Sequence, residues 1–279
     1  MPQQPGPWEH HRQAGVSDDI DFEIKGQELQ FVEIELDPGE AAIGEAGAMM
    51  MMQDGIEMDT VFGDGSAQQG GLVGKLLGAG KRLVTGESLF TTIFHNEASG
   101  KRRVAFAAPY PGKIVPVKLT EVGGTLICQK DSFLCAARGV SLGIAFQRKL
   151  GVGLFGGEGF IMQKLEGDGM VFVHAGGTLA LKTLRTGEKI RVDTGCVVAY
   201  EQSVDFDVQF VGKLKSALFS GEGLFFATLT GPGRVWLQSL PISRLANRII
   251  AAAPRVGGQR REEGSVLGTL GNILDGDGR

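Results

Sequence analysis

Three Gly-Glu pairs, at Gly86-Glu87, Gly157-Glu158 and Gly221-Glu222, form the most regular chemical pattern in the chain. Each is followed by a small residue and two apolar ones, as in Ser88-Leu89-Phe90, Gly159-Phe160-Ile161 and Gly223-Leu224-Phe225. Three carboxylates at one recurring position could surround a cation or pair with basic groups about a pseudo-threefold axis. The competing reading gives each Glu the backbone N–H groups of a Gly-rich turn. Repetition within one chain favours that structural role, because an asymmetric active site rarely needs its residues in triplicate. The densest basic cluster, Lys101-Arg102-Arg103, is a possible contact loop. Three charges give little affinity for RNA unless the loop is arrayed many times around an oligomer.

Other patterns lack the context their chemistry needs. Gly151-Val152-Gly153-Leu154-Phe155-Gly156 spells a dinucleotide fingerprint. A pyrophosphate site needs a helix N-terminus next, and Gly157-Glu158-Gly159 does not start one. Gly74 to Arg82 fails as a phosphate loop, with Lys75 at the first glycine position and Arg82 where a hydroxyl residue must stand. His95 and His174 have no nucleophile motif beside them, and the adjacent His10 and His11 lie in a polar arm. No catalytic residue, metal ligand set or cofactor is therefore assigned. Cys128, Cys135 and Cys196 are odd in number, without CxxC spacing, and sit among apolar residues. They read as core side chains in a reducing, cytoplasmic setting.

The elements that would position these groups are short strands. Forty-four glycines in 279 residues, with no G-X-Y period, suit many tight turns. Phe22 to Lys25 and Leu29 to Leu36 alternate apolar and polar residues on either side of Gly26-Gln27, a hairpin pattern. Further alternating strands begin at Ile56, Val140 and Val204, and each leads to a Lys-Leu pair and then to a Gly-Glu turn. A turn and strand follow at Pro111-Gly112, Asp168-Gly169 and Pro232-Gly233. The recurring order predicts three β repeats, at 21–120, 121–184 and 185–240, the first enlarged by two insertions, one of them His95 to Arg103. Residues 1–20 are expected to be a flexible polar arm without an apolar leader. Ile242, Leu245, Ile249 and Ile250 form a helical stripe within 241–253, and 254–279 is expected to be a flexible tail. Met49 to Met52 aligns with Leu134 and Val197 and is read as core. No apolar run is long enough to span a membrane.

The threefold Gly-Glu turn, the loop Leu154 to Phe160 and the closing Ser243-Arg244-Leu245-Ala246 helix resemble one family over roughly residues 22–250. It comprises the bacterial relatives of the mitochondrial biogenesis factor named for altered inheritance of mitochondria. The resemblance implies units similar to the subunit of the tryptophan RNA-binding attenuation protein, each a short double-stranded β-helix. It also implies three chains closing into a ring of nine units. It supplies no catalytic residues.

The expectation is an all-β chain of three tandem sandwich-like repeats with a short C-terminal helix. Its foremost role is a non-enzymatic homo-oligomeric scaffold or binding protein, a trimeric ring whose partner is itself. A ligand- or RNA-binding regulator using clefts between β units is the alternative, and a metal-dependent enzyme ranks third. The net charge of −4 gives no general attraction to nucleic acid.

Overall fold

The computed structural model describes residues 16–62, 90–148, 160–210 and 225–252. The chain is all-β, with one short C-terminal α-helix among these residues, α1 (Ile242–Ala252). The strands run β1 (Asp21–Lys25), β2 (Phe31–Leu36), β3 (Ala41–Glu45), β4 (Met49–Met52), β5 (Ile56–Phe62), β6 (Phe90–Asn96) and β7 (Arg102–Ala107). They continue as β8 (Gly112–Lys118), β9 (Thr125–Gln129), β10 (Phe133–Ala137), β11 (Ser141–Arg148), β12 (Phe160–Glu166) and β13 (Met170–Gly176). The last are β14 (Leu179–Leu184), β15 (Lys189–Asp193), β16 (Val197–Glu201), β17 (Asp205–Phe210), β18 (Phe225–Thr230) and β19 (Gly233–Gln238).

Among the described residues all pairing is antiparallel, in four sheets. Two have six strands, in the orders β5-β6-β3-β10-β13-β8 and β11-β12-β9-β16-β19-β14. Adding six to every strand number converts the first order into the second. The outer sheets are β1-β2-β7-β4 and β15-β18-β17. Turn chemistry recurs with the pairing: Gly39, Gly123 and Gly187, just ahead of β3, β9 and β15, all have positive φ, a conformation glycine adopts without steric cost.

Three apolar cores lie between successive sheets. Val32, Ile34, Val104 and Phe106 of the first outer sheet meet Ala42, Phe94, Cys135 and Phe172 of the first six-stranded sheet. The two six-stranded sheets share a core containing Ile43, Phe133, Val173, Leu126, Leu165 and Trp236. Ile127, Met162 and Tyr200 meet Val208, Ala227 and Leu229 of the last sheet. The middle strands are therefore covered on both faces, and every residue of β9 and of β10 is buried. This explains their unbroken apolar runs. β2, covered on one face, alternates between buried and half-buried positions and keeps the two-residue period in its sequence.

The end of the polar arm is fastened, contrary to the flexible segment expected through residue 20. Asp18 accepts a bond from the Ala41 amide at 2.8 Å and pairs with Arg138 at 3.0 Å. The Ser17 amide donates to Asp168 at 2.8 Å, and Ile20 is buried in the first core. His95 to Arg103 is likewise no insertion. It is the end of β6, the start of β7 and the connection that carries the chain from one sheet to the next, in the place that the β12–β13 and β18–β19 turns take elsewhere. Pro111-Gly112 instead opens β8, which pairs along its whole length with β13.

Phe106 is fully buried and meets Phe94 edge-on at 5.2 Å. Phe106→Ala is expected to cost about 3–5 kcal/mol, read as a lower denaturation midpoint in urea at unchanged slope.

Candidate functional site

The sequence-selected carboxylates do not supply a site that can be described: Gly86, Glu87, Gly157, Glu158, Gly221 and Glu222 all lie outside the described residues, as do the glycine-rich segments beginning at Gly74 and Gly151 and the paired histidines of the arm. Among the described residues no group of three or more His, Cys, Asp or Glu is arranged to hold a metal.

The basic cluster is described, and two of its cations, Lys101 and Arg103, are matched by acids on or just past the neighbouring strand. Arg102 and Arg103 begin β7, beside β2. Lys101 Nζ lies 2.8 Å from Glu35 and 3.4 Å from Asp37. Arg103 donates to Glu35 at 2.8 Å and to Glu33 at 3.2 Å. Hydrogen bonds from Lys101, then from Arg103, hold the Glu35 carboxyl below its ordinary range. Arg102 donates to the backbone oxygens of Asp54 and Lys101, each at 2.8 Å. Such exposed ion pairs add little stability, but they leave less free positive charge than the sequence run suggests.

The histidines sit apart. His95 Nε2 is 3.7 Å from Asp59 and from Glu97. His174 is almost completely buried with its ring edge-on to Tyr110 at 4.5 Å. Burial pushes its pKa down to about 4, opposed by the Tyr110 backbone. Cys128 and Cys135 are buried, and burial raises both thiols, so neither is a poised nucleophile.

Three features emerge that sequence reasoning missed. One is Glu45, at the end of β3. Burial, then the nearby Asp131 carboxylate, pushes its pKa up to about 7, with Lys130 opposing. Another is an open cleft of ≈ 420 Å³. Ile127, Phe146, Tyr200 and the segment Gln202 to Phe206 line it. Phe206 stacks on Tyr200 at 5.1 Å and meets Phe146 edge-on at 5.4 Å.

The third is a pair of strand edges. β10 lies between β13 and β3, and β16 between β19 and β9. Among the described residues β4 pairs with β7 alone, and β15 with β18 alone. The ladders share an irregularity: register shifts occur between Met49 and Met51, Phe133 and Cys135, and Val197 and Ala199. Met51, Cys135 and Ala199 therefore occupy one position, and Met52, Ala136 and Tyr200 the next. Cys135 and Ala199 are 0% exposed, whereas Met51 is 39% exposed. Ala136 is 0% and Tyr200 5% exposed, against 38% for Met52. Met49 packs against the first core, but Met50 to Met52 are exposed in the single chain, which corrects the sequence reading for those three. Their apolar character matched a buried position, but among the described residues no strand stands beside β4 where β3 and β9 stand beside β10 and β16.

A family model for mitochondrial biogenesis AIM24 proteins matches residues 22–240, nearly the whole β body. The chain belongs to the AIM24 family. A Streptococcus pyogenes serotype M6 relative, named only as an uncharacterized protein, is 30% identical over 229 residues, covering 81% of this chain and 87% of its own. The X-ray structure of another Streptococcus pyogenes protein has a TM-score of 0.66 at 24% identity. That match covers 84% of this chain and 100% of the other, and it shows a common fold. No helix among the described residues is long and apolar enough to cross a membrane.

Glu45 gives a pH test. A carboxyl raised to about 7 from its ordinary 4.5 adds stability that is complete below pH 4.5 and lost as pH rises through 7. Glu45→Gln should therefore gain on the wild type between pH 5 and pH 8, by up to about 2–3 kcal/mol, in parallel urea titrations. An equal difference at both pH values would contradict this.

Proposed function

We propose that the chain is one subunit of a non-enzymatic homo-oligomeric ring, a trimer serving as a scaffold or binding platform. The observation that carries this reading is the state of β4 and β15: among the described residues each has one partner where the corresponding inner strands have two. An exposed strand edge is a template for another chain and is normally covered or blunted. Residues 31–107, 112–176 and 179–238 are read as three units of six strands. This regrouping replaces boundaries after 120 and 184, which cut β8 from β13 and β14 from β19.

In this reading β3 of the first unit pairs with β10 of the second, and β9 of the second with β16 of the third. The same step from the third unit leads β15 to the β4 of another copy. The contact joins two different surfaces, so repeating it gives either a closed ring or a filament. Three chains closing a ring of nine units is what the family resemblance implies. The three-stranded and four-stranded outer sheets would then merge in the order of the inner ones, with β1 added at the edge.

A second reading, a regulator that binds a small ligand, draws on the aromatic cleft beside Phe206. RNA is the less favoured ligand, because the basic cluster is engaged by Glu33, Glu35 and Asp37. A cytoplasmic setting suits the buried thiols of Cys128 and Cys135.

Light scattering on the full chain should give about three times 29.6 kDa. Met51→Lys, which sets a charge at a position buried in the inner units, should yield single chains with an unchanged far-UV spectrum. A wild type that stays at one chain mass at micromolar concentration contradicts the proposal.

A further inference from the structure

We infer that the junction between copies is selected by charge: Arg191 and Lys189 of β15 engage Asp54 and Glu57 on the β4–β5 segment of the next copy, beside Met52 and Met58. The inference rests on the ring reading and deepens it, naming which side chains recognise the second copy.

The register fixes the placement. At the inner junction, Tyr200 of β16 lies opposite Ile127 of β9, and Ala199 opposite Cys128. At the other inner junction Ala136 lies opposite Ile43, and Cys135 opposite Gly44. Ile43, Ile127 and Arg191 share one position, two residues into β3, β9 and β15. Carrying the ladder over sets Met51 opposite the partner's Val192 and Met52 opposite the partner's Arg191.

The cleft beside Phe206 supplies the rest. It brings Ile127 together with Tyr200, Gln202, Asp205 and Phe206. Asp205 pairs with Thr230, and Glu57 with His95, at matching ladder positions of β17 and β5. The corresponding residues between copies are thus Arg191 on one side and Met52, Asp54, Glu57 and Met58 on the other. The apolar Ile127 position of the inner junction becomes basic, and its facing side, which already carries Asp205, has a second carboxylate where Gln202 stands.

The exposed residues bear this out as a matched pair of surfaces. Lys189, Arg191, Asp54 and Glu57 are all exposed in the single chain, and none makes an ion pair among the described residues. Met52 and Met58 are 38% and 48% exposed, flexible apolar groups suited to lie under the long basic stems. The inner junctions carry isoleucine at the Arg191 position, so charge here also opposes pairing of β15 with the wrong edge.

Charge exchange tests this on the full chain. Arg191→Glu and Glu57→Lys, each alone, should weaken assembly about tenfold or more in dilution light scattering. Arg191→Glu combined with Glu57→Lys should recover most of the loss, with thermal midpoints of the separated chains unchanged. Single variants that assemble like the wild type, or a combined variant no better than either, would overturn the charge pairing while leaving the ring intact. A wild type that never assembles would remove the ring itself, and this inference with it.

Discussion

Backbone hydrogen bonding at strand edges is the constraint on which the rest of the molecule depends. Every strand offers two rows of N–H and C=O groups, and a row left without partners beside apolar side chains is costly or adhesive. The chain meets this within itself at two places, by joining β3 to β10 and β9 to β16. Each junction turns two three-stranded halves into a six-stranded sheet, whose two faces the neighbouring sheets cover. Burial of Leu126, Cys128, Cys135 and Ala136 is therefore a consequence of edge pairing as much as of apolar composition.

The same constraint orders the polar side chains. Asp18 takes the Ala41 amide at the β3–β10 junction and pairs with Arg138 there, so the arm contributes to one inner junction. Gln238, nearly buried on β19, accepts from the Gly176 amide and donates to the Gly195 oxygen, each at 2.7 Å. It thereby ties the ends of β13 and β19 to the turn before β16. Charged groups are set where no second sheet covers them, as in the Lys101, Arg103 and Glu35 cluster on the outer face of β2 and β7. This division between dry junctions and charged outer faces explains why β15, rich in charge, differs from β3 and β9.

Much of the fold was legible in the sequence. Alternation marked β1, β2, β5 and β17, and glycine turns marked the recurring order of strands. The all-β class and the C-terminal helix followed directly. The boundaries expected after 120 and 184 rest on one short motif, Gly followed by a basic or apolar residue and then an apolar one, which stands ahead of different strands. Pro111-Gly112 opens β8, whereas Pro232-Gly233 opens β19, and local sequence does not separate them. The methionine run was misjudged for another reason: an apolar edge strand reads as core whether its cover comes from its own chain or another. The raised carboxyl of Glu45 and the cleft beside Phe206 left no signal at all, because each is made by residues far apart in sequence. Glu87, Glu158 and Glu222 lie outside the described residues.

Hydrogen–deuterium exchange on the full-length chain at assembling concentration probes the central claim most directly, because it reads the edge amides themselves. Peptides covering β4 and β15 should exchange as slowly as those covering β10 and β16. Fast exchange in β4 and β15 alongside protected β10 and β16 would show that both edges are open to water, and would contradict the account.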